Sequence, residues 1–468
     1  MSATDAFARI SAVNVGLSGF ADAVAAQGAP VIDLDWRPPA EGDAATVAML
    51  TPLWGAHGAR IAAANVDCLA RIESSRPMAI DVQPAGKVIA GLEGRVLLHS
   101  GPPITWNRVC DPQRRALVAA VLFEGWASER DAAAKLLEDG EVTLAPGHHH
   151  DHVGPMTGVC SPSMPVWIVE DAAAGTRAYS TLNEGSGNTL WFGVGDDESI
   201  ERLRFFRDTV GPLVARLLAH CGPVEVFALA AQGLGMGDEL HMRSQATGNL
   251  LVRHFAPGFA ALGGEDVAAF IAGNHHFFLN LTMAGAKCAS LAASTVADST
   301  VVSLISRNGT DVGVQLAGLP GQWFTSPAAS VQDALLREGF GPEDAALDIG
   351  DSAVIECIGL GGMAVAAAPA VAAFFGGGSA DAAARVSQMA EITVGRSQRF
   401  LIPGLDFAGS PTAIDARLVV ELGVTPQITT GVLHRSSGAG QIGAGIAHQP
   451  VEPFRAALAA FGETLNAG

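Results

Sequence analysis

Apolar residues recur along this chain with two periods, every second residue in some segments and every three to four in others, which predicts a mixed α/β protein. Near the start, the apolar runs Ala12–Gly16 and Val31–Asp35 have the character of strands, and Phe20–Ala26 has that of a short helix. A glycine lies at each junction, and the prolines Pro38 and Pro39 end the pattern. The segment therefore predicts a small N-terminal β-α-β unit of the Rossmann-like type.

The rest of the chain predicts a larger α/β domain rich in alanine and glycine. Helix starts carry capping signals, as at Asp111-Pro112, where an N-cap residue precedes proline at the first helical position. The expected helices are Trp54–Ile72, Asp111–Gly125, Ser128–Gly140, Asp196–Ala219, Phe277–Ala293, Met363–Phe375 and Asp381–Glu391. The expected strands are Val142–Ala145, Val166–Glu170, Arg177–Leu182, Thr300–Ser306, Asp311–Ala317, Ala353–Ile358 and Gln427–His434.

Two proline-rich stretches, Arg37–Gly42 and Gly318–Pro327, are the candidate domain boundaries. They divide the chain into a β-α-β unit over residues 1–42, a central α/β region with a histidine-rich loop over residues 43–320, and a Gly-rich α/β region over residues 321–468.

Composition narrows the classes of function. With 49% hydrophobic and 16% charged residues, the chain can build a large core. Its net charge of −19 argues against a partner that is nucleic acid or anionic lipid. The uncharged stretch 358–378 is dominated by Ala and Gly, so we expect a buried helix rather than a membrane span. No export signal is visible and the six cysteines form no C-x-x-C pair, which predicts a cytoplasmic protein with reduced thiols.

The densest candidate chemistry is the run from His148 to His152, bracketed by glycine and proline. The brackets predict an extended loop, in which His148, His150 and His152 face one way and His149 and Asp151 the other. Closely spaced imidazoles repel when protonated, so we expect neutral rings that serve as acids and bases. His148, His149 and His150 are therefore candidate catalytic residues. Alternatively, His148, His150 and His152 bind a divalent metal, or the loop is only structural, with its histidines bonded to carbonyls.

A second polar cluster lies in the turn Gly235–Arg243. Asp238 and His241, three residues apart, are candidate catalytic residues on one face, although an acidic N-cap also explains Asp238. Arg243 is a candidate ligand for an anionic substrate, or else an ion-pair partner of Glu239.

Further candidates for substrate binding lie at turns. The adjacent histidines His275 and His276 precede an apolar helix. Arg307 is followed by an Asn-Gly hairpin turn, and the glycine loop around Gly361 can present backbone N–H groups to an anion. We expect the histidine loop and the turns near residues 241 and 275 to meet in one pocket, because buried polar groups need partners. The candidate substrate ligands are Arg243, His275, Asn280, Arg307, Asn308, Gly361 and Gly362.

Nucleotide and hydrolase signatures are missing from the sequence. The stretch Gly438–Gly443 matches G-x-G-x-x-G, but Pro450 follows too soon for the helix and strand of a dinucleotide fold. Neither a P-loop nor a G-x-S-x-G motif occurs.

Taken together, the motifs resemble the YlbE/YahG-type proteins, whose characterised branch is a subunit of oxamate carbamoyltransferase that serves anaerobic allantoin catabolism. The resemblance covers almost the whole chain and is carried by VNVGLSGFADAVAAQGAPVIDLDWRPP, LHSGPPITW, HHHDHVGPMTGVCSPSMPVW, LNEGSGNTLWFG, GMGDELHMR, NHHFFLNLTMAGAK, RNGTD, IGDSAVIECIGLGGMA and GAGQIGAG.

The resemblance implies that a carbamoyl group passes between oxalurate and phosphate, giving oxamate and carbamoyl phosphate. It also implies an oligomer with other subunits, one of which is similar to a CoA-ligase α chain. Such a reaction needs ligands for anions, stabilisation of an oxyanion and a proton carrier. The candidates are Arg243 and Arg307 for the anions, the glycine-loop amides for the oxyanion or phosphate, and His148 or His149 for the proton.

Two other functions stay open on the sequence alone. The first is a metal-dependent amidohydrolase acting on a ureido or cyclic amide substrate, which a chelator inactivates and which needs no phosphate. The second is a non-catalytic scaffold subunit, whose complex stays active after alanine substitution at His148–His150. No cofactor is indicated beyond the divalent metal of the first alternative.

Overall fold

The computed structural model describes residues 11–34, 36–374 and 377–467 and has helices and strands interleaved along the chain, which confirms the mixed α/β class. Its α-helices are α1 (Ser18–Ala25), α2 (Ala44–Trp54), α3 (Gly58–Ser74), α4 (Ala85–Val88), α5 (Asp111–Phe123), α6 (Arg130–Glu138), α7 (Asp197–Phe205), α8 (Gly211–Cys221), α9 (Val226–Gly235), α10 (Gln245–Leu262), α11 (Glu265–Gly273), α12 (Leu279–Ala293), α13 (Pro369–Phe374), α14 (Ser379–Glu391), α15 (Ala416–Leu422) and α16 (Glu452–Ala467).

The strands form several small sheets rather than one large one. They are β1 (Ala12–Val15), β2 (Val31–Leu34), β3 (Met78–Pro84), β4 (Val96–His99), β5 (Thr143–Pro146), β6 (Pro165–Asp171), β7 (Thr176–Thr181), β8 (Val224–Glu225), β9 (Val302–Asn308), β10 (Asp311–Leu316), β11 (Phe324–Pro327), β12 (Val331–Leu336), β13 (Ile349–Gly350), β14 (Thr393–Ile402), β15 (Ala408–Ile414), β16 (Gln427–Leu433) and β17 (Gln441–His448).

The N-terminal unit is the expected β-α-β arrangement. Strands β1 and β2 pair in parallel, with Ala12 opposite Val31, and α1 connects them. Asp35, the last residue of the second expected strand, lies outside the described residues.

Two four-stranded antiparallel sheets support the central region, in the orders β7-β6-β3-β8 and β11-β10-β9-β13. The expected Asn-Gly hairpin joins β9 to β10, and Gly309 has the positive φ of 76° that such a turn requires. The remaining sheets are the antiparallel β12-β17-β16 and β14-β15 and the parallel pair β4-β5.

Helix α12 lies at the centre of the core. Every residue of it except Leu291 is buried, which its small residues permit. At Gly285, an added Cβ would lie 3.0 Å from the ring of Phe227, so any larger residue would force this ring to shift. The helix packs against β6, β7 and α3 and carries a single charged side chain, Lys287, into the interior.

The segment from residue 348 to residue 368 departs from expectation. Ala353–Ile358, expected as a strand, forms two 3₁₀ turns, Ser352–Val354 and Glu356–Ile358. The helix expected over Met363–Phe375 is divided into a 3₁₀ stretch, Gly361–Ala367, and the short α13, while Phe375 lies outside the described residues. Nearly every side chain here is buried, so no alternation in polarity marks the turns.

Two expectations from composition can be compared with the fold. Within the described ranges, no helix has both the length and the apolar character needed to cross a membrane. All six cysteines are free thiols, four of them buried. The divisions at residues 42 and 320 stay predictions.

Candidate functional site

The histidine cluster is a tight turn rather than an extended loop. Gly147–His150 is a 3₁₀ turn, and Asp151 follows in the left-handed region at a φ of 53°. The expected alternation is therefore wrong, because a turn rotates successive side chains by about a third of a circle. His148 and His152 are buried, whereas His149 is exposed and His150 is half-buried.

His148 faces a buried carboxylate. Its Nε2 lies 3.3 Å from Oδ1 of Asp351, and neither side chain is accessible to bulk solvent. Asp351 also accepts hydrogen bonds from the amide N–H groups of Gly101 (2.8 Å) and Gly154 (3.0 Å) and from the hydroxyl of Ser306. Burial alone would raise the pKa of Asp351, but His148 and these donors outweigh it and lower the pKa to about 2. The carboxylate thus stays ionised and orients His148.

Lys287, which the sequence reasoning overlooked, lies beside this pair. Its Nζ is 3.6 Å from Oδ1 of Asp151 and donates to the backbone carbonyl of His148 at 3.4 Å. Burial lowers the pKa of the Lys287 ammonium, while Asp151 and Asp351 oppose the shift. A buried cation with one long ion pair retains capacity for a further anion.

These side chains share one cavity of about 410 Å³, which we call the lysine cavity. Such a volume accommodates a small organic acid together with a second small ligand. Its walls are formed by His148, His149, Asp151, Lys287, Ser290, Leu291, Ser294, Ser303, Leu304, Gln315, Pro320 and Gly321.

The tautomer of His149 is set by Trp323. The indole Nε1–H donates to Nε2 of His149 at 2.8 Å, and because an indole nitrogen can only donate, Nε2 must be the acceptor. Partial burial and the neighbouring His150 and His148 lower the pKa of His149, which favours the neutral ring. Neutral His149 therefore carries its proton on Nδ1 and offers it as a hydrogen-bond donor.

The three histidines considered as alternative metal ligands, His148, His150 and His152, do not converge on one point. Among the residues that the structure describes, no three His, Cys, Asp or Glu side chains are grouped so as to hold a metal ion. His148 faces Asp351, and Nδ1 of His150 lies 2.9 Å from the carbonyl oxygen of Ala90. His152 is buried, and neither of its ring nitrogens has a hydrogen-bond partner among the described residues. The 3₁₀ turn sends the three rings toward different neighbours.

The turn after α9 contributes a second imidazole–carboxylate pair. Nδ1 of His241 lies 2.7 Å from Oε1 of Glu356, and both side chains are buried. Since a carboxylate accepts, the neutral ring carries its proton on Nδ1 and its lone pair on Nε2. Glu356 lies just before the glycine loop, and its partner is more than a hundred residues away in the chain.

His241 lines a narrow slot of about 20 Å³ that adjoins a wider mouth of about 340 Å³. The slot and the mouth share Met242 and His276, and Arg243, Gln245 and the exposed His275 line the mouth. We call the two together the His241 cleft.

The expectation of a single pocket holds for the turns near residues 241 and 275, which both line the His241 cleft, and is wrong for the histidine turn. His148 and His149 line the lysine cavity, whereas His241 and His276 line the His241 cleft. Leu279 in the slot and Lys287 in the lysine cavity both belong to α12, about 12 Å apart along the helix at 1.5 Å per residue.

Several candidate ligands have structural roles instead. Arg307 is fully buried and its guanidinium is occupied by Asp348, at 2.8 and 3.1 Å, and by the carbonyl of Gly350. Asn308 accepts from the amides of Thr310 and Asp311, as the turn requires. The geometry does not support either residue as a substrate ligand.

Two more candidates serve the backbone or a neighbouring amide. Asp238 accepts from the first amides of α10, at Ala246 (3.2 Å) and Thr247 (2.8 Å), and so acts as a helix cap rather than as a catalyst. Asn280 is bonded to Asn183 and to the carbonyl of Thr181.

The glycine-loop amides are also occupied. Gly361 donates to the carbonyl of Glu239 at 2.8 Å, and Gly362 donates to Oε1 of Glu356 at 3.1 Å. Neither N–H is free to bind an oxyanion or phosphate, so the loop instead orients the carboxylate of the second pair.

The sequence is similar to proteins of one known family. A family model described as "Oxamate carbamoyltransferase subunit AllG" matches residues 142–352. The Escherichia coli (strain K12) protein named "Uncharacterized protein YahG" is 40% identical over 455 residues, which is 96% of each chain. "Oxamate carbamoyltransferase subunit AllG" of the same strain is 42% identical over 416 residues, 87% of this chain and 99% of its own. The chain belongs to the AllG/YahG family.

The AllG/YahG fold also occurs in a solved structure. A crystal structure of a conserved protein of unknown function from Enterococcus faecalis V583 matches with a TM-score of 0.85 and 37% identity, covering 87% of this chain and 99% of that chain. The segment that matches the AllG family model contains the histidine turn, His241, Lys287 and Asp351, and Glu356 lies just beyond it.

The sequence contained one signal for the overlooked lysine. Lys287 is the only charged residue in the apolar helix α12, and a lysine in such a setting is rarely buried without a partner or a function. Asp351 gave no comparable signal, because its basic partner is about two hundred residues distant in the chain.

Proposed function

We propose that this chain is a carbamoyltransferase subunit that moves a carbamoyl group from the ureido nitrogen of a small acid such as oxalurate to phosphate. The relationship to a protein named as an oxamate carbamoyltransferase subunit supports the reaction class. The observation that carries the proposal is the lysine cavity, where the buried ammonium of Lys287 lies beside two oriented imidazoles, His148 and His149.

The proposed roles follow from the atoms available in that cavity. Lys287 balances the negative charge of phosphate and substrate, because a cation in a water-poor site stabilises an anion strongly. Nδ1–H of His149 donates to the carbamoyl oxygen as that oxygen becomes negative. His149 is thus an oxyanion donor, and the proton carrier is His148.

The step balances with these groups alone. A phosphate oxygen forms a bond to the carbamoyl carbon, and the bond from that carbon to the ureido nitrogen breaks. The phosphate proton passes to Nδ1 of His148, which has no partner within the described chain, and then to the leaving nitrogen. The ionised carboxylate of Asp351 lies 3.3 Å from the other ring nitrogen, Nε2, and electrostatically favours a proton there, which leaves Nδ1 as the acceptor. The products are carbamoyl phosphate and oxamate, and no nucleotide is consumed.

We further propose that the N-terminal β-α-β unit docks a partner subunit of α/β fold, such as the CoA-ligase-like chain implied by the sequence resemblance. A two-stranded parallel sheet is rarely stable alone and is normally covered on both faces. Among the described residues no third strand pairs with β1 or β2, and Leu17, Phe20 and Trp36 are 75, 65 and 63% exposed. A subunit role fits the name of the AllG relative, and six free thiols fit a reducing cytoplasm.

The test is the consumption of oxalurate by the purified chain, alone and mixed with the products of neighbouring genes, with and without phosphate. Carbamoyl phosphate and oxamate formed in equal amounts, only when phosphate is present, is the expected result. Equal consumption of ureido substrates without phosphate would show hydrolysis instead. Full activity of a complex that carries His148→Ala and Lys287→Met would show that this chain is a scaffold.

A further inference from the structure

We infer that the His241 cleft is a binding site, separate from the lysine cavity, for a small carboxylate that also carries an amide or ureido –NH₂ group. The inference rests on the arrangement of Arg243, His241 and His276 and does not depend on the proposed transfer reaction.

The mouth of the cleft is suited to a carboxylate. Nε of Arg243 forms an ion pair with the buried Asp238, 3.3 Å from its Oδ1, and the side chain remains 36% exposed where it lines the mouth. The outer edge of a guanidinium oriented in this way matches the two oxygens of a carboxylate. The mouth, at about 340 Å³, excludes large ligands but accepts a small organic acid.

The inner end of the cleft presents hydrogen-bond acceptors. His241 donates from Nδ1 to Glu356, so the neutral ring has its lone pair on Nε2. His276 has Nε2 at 2.9 Å from the carbonyl of Met242, which places its proton on Nε2 and its lone pair on Nδ1. That Nδ1 is buried and has no partner in the described part of the chain. Burial lowers the pKa of His276 to about 4, so its ring is neutral at physiological pH.

Two acceptor nitrogens at one end of a cleft call for a ligand with N–H donors, since a buried acceptor without a partner is costly. The slot, at about 20 Å³, has room for one group the size of a water molecule, and an –NH₂ group is of that size. Trp191, Phe192 and Met156 form apolar walls around it, which suits a flat amide plane. A carboxylate at Arg243 and an amide at the histidines define the ligand class.

The test compares two probes by isothermal titration calorimetry of the purified chain. Oxamate and pyruvate share a carboxylate and nearly the same shape, but oxamate has –NH₂ where pyruvate has –CH₃. We expect oxamate to bind about tenfold more tightly, because a site built for N–H donors rejects an analogue that lacks them. Equal affinities in the wild-type protein would overturn the inference without any variant.

Variants then locate the site. Arg243→Gln should weaken both probes about tenfold, since it removes the charge that both carboxylates use. His241→Leu should bring the two affinities together while leaving that of pyruvate unchanged. Lys135→Met, at the surface, is the control and should change neither affinity. If Lys287→Met abolishes oxamate binding and Arg243→Gln does not, oxamate binds in the lysine cavity and the inference is wrong, whereas the proposed transfer site would be strengthened.

Discussion

Nε of Arg307 lies 2.8 Å from Oδ2 of Asp348, and neither side chain has any exposure to solvent. Asp348 is the first of three buried acids in one short segment, and each of the three faces a basic side chain from elsewhere in the chain: Asp348 with Arg307, Asp351 with His148, and Glu356 with His241. The first pair stabilises the fold, and the other two orient imidazoles at the two cavities.

Arg307→Ala should destabilise the protein by about 3–5 kcal/mol, because it leaves the buried carboxylate of Asp348 without its cation. Denaturant unfolding monitored by circular dichroism measures the change in the free energy of unfolding. The control is Arg95→Ala, whose ion pair with Glu141 lies at the surface and should contribute less than about 1 kcal/mol. A fully stable Arg307→Ala protein that binds anions poorly would restore the role in substrate binding that the sequence indicated.

Trp323→Phe should lower kcat about tenfold or more with little change in KM. The substitution removes the N–H that fixes the tautomer of His149, so the ring no longer offers Nδ1–H at all times, and an oxyanion donor acts mainly in the transition state. Steady-state kinetics of the active complex give the two constants. Trp126→Phe, at a different cavity, is the matched control and should leave both constants unchanged. A change confined to KM would contradict the assigned role.

His152 should make the protein sensitive to acid. Burial lowers its pKa from 6.5 to about 4, so between these values the unfolded chain binds a proton that the folded chain does not. Stability therefore falls as the pH drops through this range, by on the order of 3 kcal/mol in total from this group. Burial raises the pKa values of Glu184 and Glu239 to about 7, so these groups make the protein more stable as the pH falls. The contribution of His152 is therefore measured as the difference between the wild-type protein and a variant that lacks this ring.

His152→Phe removes the titrating ring and retains its planar shape. Urea unfolding at pH 7 and pH 4.5 should show that the variant loses less stability on acidification than the wild-type protein does. Identical losses in the two proteins would mean that His152 is solvated or protonated in the folded state.

Most of the elements followed from local signals in the sequence, and the site did not. Asp111-Pro112 marked the start of α5, although Cys110 rather than Asp111 is the N-cap residue, and Asn308-Gly309 marked the hairpin, because proline and turn residues act over a few residues. The pairing of His241 with Glu356 joins positions 115 residues apart and depends on tertiary packing, so a single sequence contains no record of it.

The errors have the same origin. Ala353–Ile358 has the apolar composition of a strand, but it is buried on all sides and turns repeatedly, which places Glu356 against His241. The histidine run was read as extended because glycine and proline flank it, whereas the chain there forms a 3₁₀ turn. The sequence shows correctly that the histidines and Glu356 are polar groups in an apolar chain, but it does not show which neighbours their side chains face.

Phe20→Glu should prevent association with the partner subunit without unfolding the chain. Phe20 is 65% exposed on the N-terminal unit, so the substitution costs the isolated protein little but places a charge in an apolar interface. Co-purification and light scattering measure assembly. Val66→Glu, an exposed apolar residue on α3 at 59%, is the matched control and should assemble normally. If the substitution instead disrupts a homodimer, the partner that binds the N-terminal unit is a second copy of this chain.

The most direct test of the lysine cavity as the site of carbamoyl transfer uses the assembled complex with the substitution Lys287→Met. The measurement is the phosphate-dependent formation of carbamoyl phosphate from oxalurate. Methionine fills a similar volume without the charge, so we expect assembly and folding to be retained and turnover to fall about a hundredfold or more, as for the loss of a charged group that stabilises the transition state. Lys135→Met, on the surface with its side chain 71% exposed, is the control and should retain full turnover. Undiminished carbamoyl transfer by the Lys287→Met complex would contradict the assignment of the reaction to the lysine cavity.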